Sequence, residues 1–385
     1  MNILLDFIPF QQNGGVGGAA SFAKAVYDEV FRQKTDEHTL FAVCDKSVPI
    51  GQQYDYEQLA QENDVQLLDV SGATLSSLIT QNKIDVFFIA IGQFYAKYDL
   101  SGIQCKTIMF IHDLYNLESG DNLVDFTIHD SNAETTWHRF KRIVNVAIGR
   151  GKAKSLQVYE QIMPLYAASN TLAYTVSDYT KTALQYYFPE IEKPIHVCYS
   201  PDKAAQMDEA IENEQLKALV DGRKKYLLMI AANRLYKNPQ TLLKVFNRLA
   251  KDYPDLYVLT LKYGSSTHAR HIDIPFLSES DLEHAYHNAY ALVFASYFEG
   301  FGYPPIEAIK HGTPVVASNV TSIPEILGDA GIYFSPFYPA DLYRALRMVI
   351  DNRDIRKVEI ERQAEKVRQR QQDDLRNLAR QILSV

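Results

Sequence analysis

The sequence predicts an α/β protein of two domains, each a parallel sheet covered by helices on both faces. Three observations carry that expectation. The chain has 385 residues, more than one ordinary hydrophobic core organises. Short apolar runs alternate with helix-period segments almost throughout, which is the rhythm of a parallel sheet. Apolar residues make up 46% and charged residues 22%, a balance that lets each domain bury a core without disulfides or metals.

In chain order, strands are expected in the first half at Asn2–Ile8, Leu40–Cys44, Val65–Val70, Asp85–Ile91, Thr107–His112 and Leu172–Val176. The clearest helix is Ala19–Gln33, where Phe22, Val26 and Val30 recur at a four-residue step and so share one face. The second half repeats the pattern with strands at Tyr226–Ala231, Tyr257–Leu261, Ala291–Ala295, Pro314–Ser318 and Gly331–Phe334. Its helices are expected at Pro239–Lys251, Asp281–Ala289 and Pro304–His311. A boundary near Pro194–Lys203, where IHVCYSPDK follows FPEIEKP, divides the chain into domains 1–200 and 201–360. The tail from Asp354 is charged and helix-compatible with one apolar stripe, and its heptads are too irregular for a coiled coil. Residues 361–385 are expected as a closing helix that crosses back to the first domain.

Charge and cysteine content exclude several functions. A net charge of −8 argues against a general nucleic-acid binder, which needs cations in excess to neutralise phosphates. The three cysteines, Cys44, Cys105 and Cys198, are far apart and odd in number, as expected of reduced thiols in a reducing compartment. No Cys/His cluster suggests a metal site. The opening MNILLDFIPF reads as a first strand rather than a signal peptide. No apolar run approaches the roughly 20 residues of a membrane span. A cytoplasmic protein is expected.

The chemistry concentrates between Tyr290 and Pro336. The buried run VFAS ends in a loop, GFG supplies two glycines, and Pro304–Pro305 opens a helix, with Glu299 before the glycines and Glu307 in the helix's first turn. Backbone N–H groups at such a helix start form an anion site, and ligands of parallel α/β sheets bind beyond the carboxyl ends of the strands. Two carboxylates beside a phosphate site suit hydroxyl groups, because an ionised carboxylate can accept hydrogen bonds from both hydroxyls of a diol. Read alone, Glu307 is as well explained as a solvated residue complementing the helix dipole.

This segment resembles the E-x7-E region of the family-four glycosyltransferases, retaining enzymes of the GT-B fold whose two Rossmann-like domains face a cleft. The continuation HGTPVVASNVTSIPEILGDAG is similar to the family's stretch after the motif. The resemblance implies that Glu299 contacts hydroxyls of a donor sugar and that Glu307 holds the ribose of the nucleotide. It also implies that Gly300, Phe301 and Gly302 offer backbone N–H groups to sugar and phosphate. In MIAANRLYKNPQTLL, Arg234 and Lys237 lie between a strand and a helix, suited to a diphosphate leaving group. Lys237–Asn238–Pro239 resembles the family's KN variant. An exposed turn carrying ordinary surface cations would look the same. No Asp-x-Asp triplet occurs in the chain, in keeping with leaving-group stabilisation by cations and no metal.

The first domain is expected to supply the acceptor side. The loop NGGVGGAASFAKAV contains Gly14, Gly15, Gly17 and Gly18. It lacks the dinucleotide spacing, and it resembles the family's glycine loop near donor phosphate and acceptor; a surface loop is the plain alternative. MFIHDLY places His112 and Asp113 at a strand end, and the resemblance puts His112 near the reacting sugar as a hydrogen-bonding wall. VSDYTKTAL resembles the family's V-S-x-[FY]-[ST]-K turn, with Ser177 read mainly as a helix cap. PFLSESDL, around Phe276, resembles the region that packs the base. The stretch 137–154 mixes Trp137, Phe140 and Val144 with Arg139, Lys141 and Arg142. It reads either as a peripheral contact with the inner face of a membrane or as a domain helix with a solvated basic face.

The implied function is a retaining, metal-independent hexosyltransferase using a UDP- or GDP-linked sugar as donor substrate, with no other cofactor. The acceptor would be a glycan or a lipid-linked saccharide in bacterial cell-surface polysaccharide synthesis. An NDP-sugar epimerase on the same fold and a non-catalytic nucleotide-sugar-binding subunit stay open as alternatives.

Overall fold

The computed structural model describes residues 1–11, 17–51, 54–118, 144, 150–203, 207–266 and 268–384. Gly14 and Gly15 lie outside them, as do residues 137–143 and 145–149 of the basic stretch. The chain forms two compact units. One comprises Met1–Leu117, Arg150–Lys203 and Gln369–Val385, and the other is built on Ala204–Arg368.

The first unit holds a seven-stranded sheet of β1 (Asn2–Asp6), β2 (Thr39–Cys44), β3 (Val65–Asp69), β4 (Val86–Ile89), β5 (Lys106–Ile111), β6 (Thr171–Thr175) and β7 (Ile195–Val197). Its spatial order is β3-β2-β1-β4-β5-β6-β7, and every pairing is parallel. The first strand stops two residues short of the expected Ile8, because Pro9 favours the 3-10 turn Ile8–Phe10 over a further ladder bond. Helix α1 (Gly18–Gln33) buries the stripe of Phe22, Val26 and Val30. Further helices are α2 (Tyr56–Glu62), α3 (Leu75–Gln81), α4 (Tyr115–Glu118), α5 (Arg150–Ala167) and α6 (Asp178–Tyr187). Ser177 caps α6 by accepting from the Thr180 N–H at 3.1 Å.

The second unit holds β8 (Lys225–Met229), β9 (Leu256–Leu261), β10 (His271–Ile274), β11 (Ala291–Phe294), β12 (Val315–Ser318) and β13 (Gly331–Phe334). These lie in the order β10-β9-β8-β11-β12-β13, again all parallel. This is the doubly wound arrangement, with the strand order reversing between β8 and β11. The helices are α7 (Glu214–Asp221), α8 (Pro239–Asp252), α9 (Glu279–Asn288), α10 (Tyr303–Lys310), α11 (Ile323–Leu327) and α12 (Pro339–Asp351). One core cluster joins Leu242, Phe246 and Leu249 of α8 to Leu342, Leu346 and Val349 of α12, and a second joins Tyr286 of α9 to Ala308 and Ile309 of α10.

The tail forms one helix, α13 (Lys357–Ile382). Up to Arg368 it belongs to the second unit, where Gln363 Nε2 donates to the Ile326 carbonyl at 2.6 Å. From Gln369 it belongs to the first unit. There Asp374 accepts from the Tyr199 N–H at 2.8 Å, and Gln371 donates to the Ser200 carbonyl at 2.6 Å. The Arg370 guanidinium lies 3.6 Å from the Tyr199 ring centroid. No helix among the described residues is long and apolar enough to cross a membrane.

These contacts generate a stability prediction. Asp374→Ala leaves the Tyr199 N–H without its carboxylate and should cost about 1–3 kcal/mol in urea unfolding, with faster amide exchange at Tyr199. Unchanged exchange there would show that the contact is dispensable.

Candidate active site

The reversal of strand order between β8 and β11 opens a crevice at the carboxyl ends of these two strands. Two loops border it. After β8, the chain turns through Ala231 in the left-handed region (φ 55°), and the Arg234 N–H donates to the Ala231 carbonyl at 3.2 Å. Asn238 is also left-handed (φ 60°) and precedes Pro239, the first residue of α8. Asparagine tolerates that conformation, and proline suits the first helical turn. The Asn238 amide ties the loop to the Pro336 carbonyl at 3.2 Å.

This geometry turns Lys237 inward and leaves Arg234 at the surface. Lys237 is only 5% exposed. Its ammonium sits 4.5 Å from the Phe294 ring centroid and 5.2 Å from that of Tyr236, and it donates to Glu299 Oε1 at 2.5 Å. Arg234 donates to the Tyr236 hydroxyl at 3.0 Å. The strand-end pair therefore splits into a buried cation, held by a carboxylate and two ring faces, and an exposed cation beside a phenol.

Glu299 lies on the loop after β11. Its N–H donates to the Thr321 hydroxyl at 3.1 Å, and Ser322 donates to the carbonyls of Glu299 and Phe301, each at 3.1 Å. The segment after β12 thus shapes this loop, with Thr321 itself left-handed (φ 51°). Gly300, Phe301 and Gly302 follow at the same rim, Phe301 with its side chain buried. Gly302 has φ 108°, a conformation that strains any residue with a Cβ, and it forms the N-cap of α10.

That glycine corrects the expected place of Glu307. With Gly302 as the cap, α10 begins at Tyr303 and carries no acidic residue in its first turn. Glu307 falls one turn deeper and is 6% exposed, so it is not a solvated residue complementing the helix dipole. It accepts from the buried Tyr286 hydroxyl at 2.5 Å. Tyr286 sits on α9, and burial, then the Glu307 charge, raise its phenol well above its usual range. A second tie joins the same elements, His311 to Glu283 at 2.7 Å. Neither Tyr286 nor the Thr321–Ser322 support was anticipated from sequence. A tyrosine on an amphipathic helix looks like core until its hydroxyl is seen to meet a carboxylate.

Phe276 occupies the loop after β10 and is 69% exposed. An aromatic face is therefore available at the carboxyl end of that edge strand.

The remaining candidates lie in the first unit. Gly17 (φ 120°) is the N-cap of α1. His112 follows β5. Its Nε2 lies 2.9 Å from the Ala90 carbonyl, which makes Nε2 the protonated nitrogen of the neutral ring. The ring meets Phe22 edge-on at 4.6 Å and Phe110 at 5.9 Å. Burial pushes its pKa down to about 4, against the Ala90 hydrogen bond that raises it. His112 is therefore uncharged at neutral pH. Beside it, Asp6 ends β1, fully buried. It accepts from the Tyr95 hydroxyl at 2.7 Å and from the N–H groups of Ile8 at 3.0 Å and Ala90 at 3.2 Å. Burial nevertheless raises its pKa to about 7. No cluster of metal-ligating side chains occurs among the described residues.

Residues 210–367 match the model of the family described as glycosyl transferases group 1. The chain is 48% identical over 61 residues to O-antigen chain mannosyltransferase B of Escherichia coli, covering 16% of each chain. It is 30% identical over 180 residues to O-antigen chain mannosyltransferase RfbU of Salmonella typhimurium, covering 43% of this chain and 46% of the relative. The chain thus spans less than half the length of either of these relatives. In structure it superposes on Anabaena HepE, crystallised with UDP and glucose, over 100% of both chains with a TM-score of 0.64 at 14% identity. With its two doubly wound parallel sheets and this superposition over the whole chain, the protein has the GT-B fold, and residues 210–367 within its second unit are similar to the group 1 glycosyltransferases.

Proposed function

We propose that the protein is a retaining hexosyltransferase that takes a sugar from a nucleoside diphosphate donor and places it on a saccharide or lipid-linked saccharide. The observation that carries the reading is the Lys237–Glu299 pair at the point where the strand order reverses. A carboxylate there can accept from sugar hydroxyls while the adjoining ammonium meets the negative charge that develops on the diphosphate. The bond between the anomeric carbon and the diphosphate oxygen breaks, and the acceptor oxygen bonds to that carbon. The acceptor's proton leaves with the diphosphate. Arg234 adds a second, exposed cation, and Glu307, one turn into α10, is assigned to the ribose hydroxyls. Gly300, Phe301 and Gly302 are assigned to sugar and phosphate through their backbone, and Phe276 to the base.

His112 is assigned a hydrogen-bonding role toward a saccharide hydroxyl. A neutral imidazole serves that role at physiological pH without acting as an acid. The mannosyltransferase relatives make a mannosyl donor the first to test, with O-antigen-type surface polysaccharide as the acceptor class. HepE's bound UDP supports including uridine donors. A cytoplasmic enzyme working at the membrane's inner face fits such an acceptor. Because the leaving group is met by Lys237 and Arg234, the reaction is assigned no metal.

Three outcomes follow. Incubated with UDP- and GDP-linked mannose and glucose, the protein should release nucleotide from one donor, and release should survive a chelator. Absence of binding to every donor, or strict metal dependence, overturns the reading. Lys237→Ala should lower kcat by about 100-fold or more. It should also cost about 3 kcal/mol in stability, since it strands the buried Glu299 carboxylate. The His112 resonances should titrate near pH 4. The unfolded chain takes up that proton at about pH 6.5, so the His112 contribution to stability is present above that value and is lost as pH falls through 4. His112→Gln should remove this part of the acid dependence; an unchanged profile would contradict it.

A further inference from the structure

Glu307 can serve a ribose only if its carboxylate is held in place before the nucleotide arrives. A glutamate has three rotatable side-chain bonds, and fixing them costs affinity unless the protein has already done so. The structure shows what could fix them. Tyr286, 0% exposed, donates its hydroxyl to Glu307 Oε2 at 2.5 Å. Its own carbonyl accepts from the Thr313 hydroxyl at 2.7 Å, beyond the end of α10. Its ring lies parallel to that of His311 with centroids 6.5 Å apart, and His311 is tied back to Glu283 on α9 at 2.7 Å. One tyrosine therefore touches the carboxylate, the turn after the helix that bears it, and the ring that closes the second tie.

We propose that Tyr286 is a positioning residue that aims Glu307 at the vicinal hydroxyls of the donor's ribose, and so makes the site selective for ribonucleotides over deoxyribonucleotides. The inference rests on the assignment of Glu307 to the ribose. Two features separate it from simple core packing. The hydroxyl meets a carboxylate rather than a backbone carbonyl, the usual partner of a buried tyrosine such as Tyr226, which donates to the Ala285 carbonyl. The two ties also run in opposite senses. Tyr286 of α9 donates to Glu307 of α10, whereas His311 beyond α10 bonds to Glu283 of α9. A slide of α10 along α9 would break both together, so the pair sets the register that decides where the Glu307 carboxylate points.

The experiment compares dissociation constants of UDP and GDP with those of their 2′,3′-dideoxy analogues, by calorimetry on the full chain. Wild type should bind the ribonucleotide more tightly. If it does not, the ribose assignment of Glu307 fails, and with it the basis for Tyr286. In Tyr286→Phe, affinity for the ribonucleotide should fall by about tenfold while affinity for the dideoxy analogue stays unchanged. Equal losses for both ligands, or retained discrimination, would overturn the positioning role and leave the ribose assignment standing. A cycle with Glu307→Gln guards against a general structural defect. Acting through Glu307, Tyr286→Phe should have no further effect on discrimination in that background, and an additive loss would contradict the proposal. Should Tyr286→Phe fail to fold, Glu283→Gln weakens the second tie and should reduce the same discrimination; full retention there counts against it.

Discussion

The second unit is organised around an ion pair that neither partner could sustain alone. Lys237 and Glu299 have side chains only 7% and 12% exposed, and removing either from water is costly. They tolerate it because each supplies the other's countercharge, while Phe294 and Tyr236 present ring faces to the ammonium. The pair spans the loops after β8 and β11, so it holds together the two lips of the crevice where the strand order reverses. Its stability contribution is modest, since desolvation offsets much of the attraction. Its consequence is positional: it sets a cation and an acceptor of hydrogen bonds side by side at the crevice, where the proposed donor would meet both.

The support around that pair is graded. Close to it, Thr321 and Ser322 hold the Glu299 loop by hydrogen bonds to its backbone. Farther out, the α9–α10 contact carries Glu307 on two reciprocal ties. Under the proposed assignment these sets serve different parts of a nucleotide sugar, one the sugar and diphosphate, the other the ribose. That division follows from chain geometry, because the GFG turn and the left-handed Gly302 separate the two glutamates by a helix cap and a full turn.

The first unit repeats the doubly wound layout with different chemistry. Its strand-order reversal, between β1 and β4, carries a buried carboxylate and a neutral imidazole instead of an ion pair. Asp6 and His112 share one peptide, Ala90, whose N–H serves the aspartate and whose carbonyl serves the histidine. Burial moves the two groups in opposite directions, the acid up to about 7 and the imidazole down to about 4, because a low dielectric penalises whichever form is charged. At neutral pH the imidazole is therefore uncharged, while the Asp6 carboxyl is near the midpoint of its titration.

Sequence by itself determined the class of fold, most of the strands and the loop chemistry. Apolar runs in strands buried on both faces need no partner information to be recognised, and glycine and proline mark the Gly302–Pro305 turn through local backbone sterics alone. It missed β7 and β10 because edge strands are short and mix polar with apolar residues: IHV and HIDI carry too little periodicity to stand out. Of the candidate site residues, it named Lys237, Glu299, Glu307 and His112, and not their states. Whether a lysine is buried on a carboxylate, a histidine kept neutral between two rings, or a glutamate held by a tyrosine 21 residues earlier in the chain depends on contacts between segments far apart in sequence. Burial and hydrogen-bond partners are properties of those contacts, and only the tertiary structure decides them.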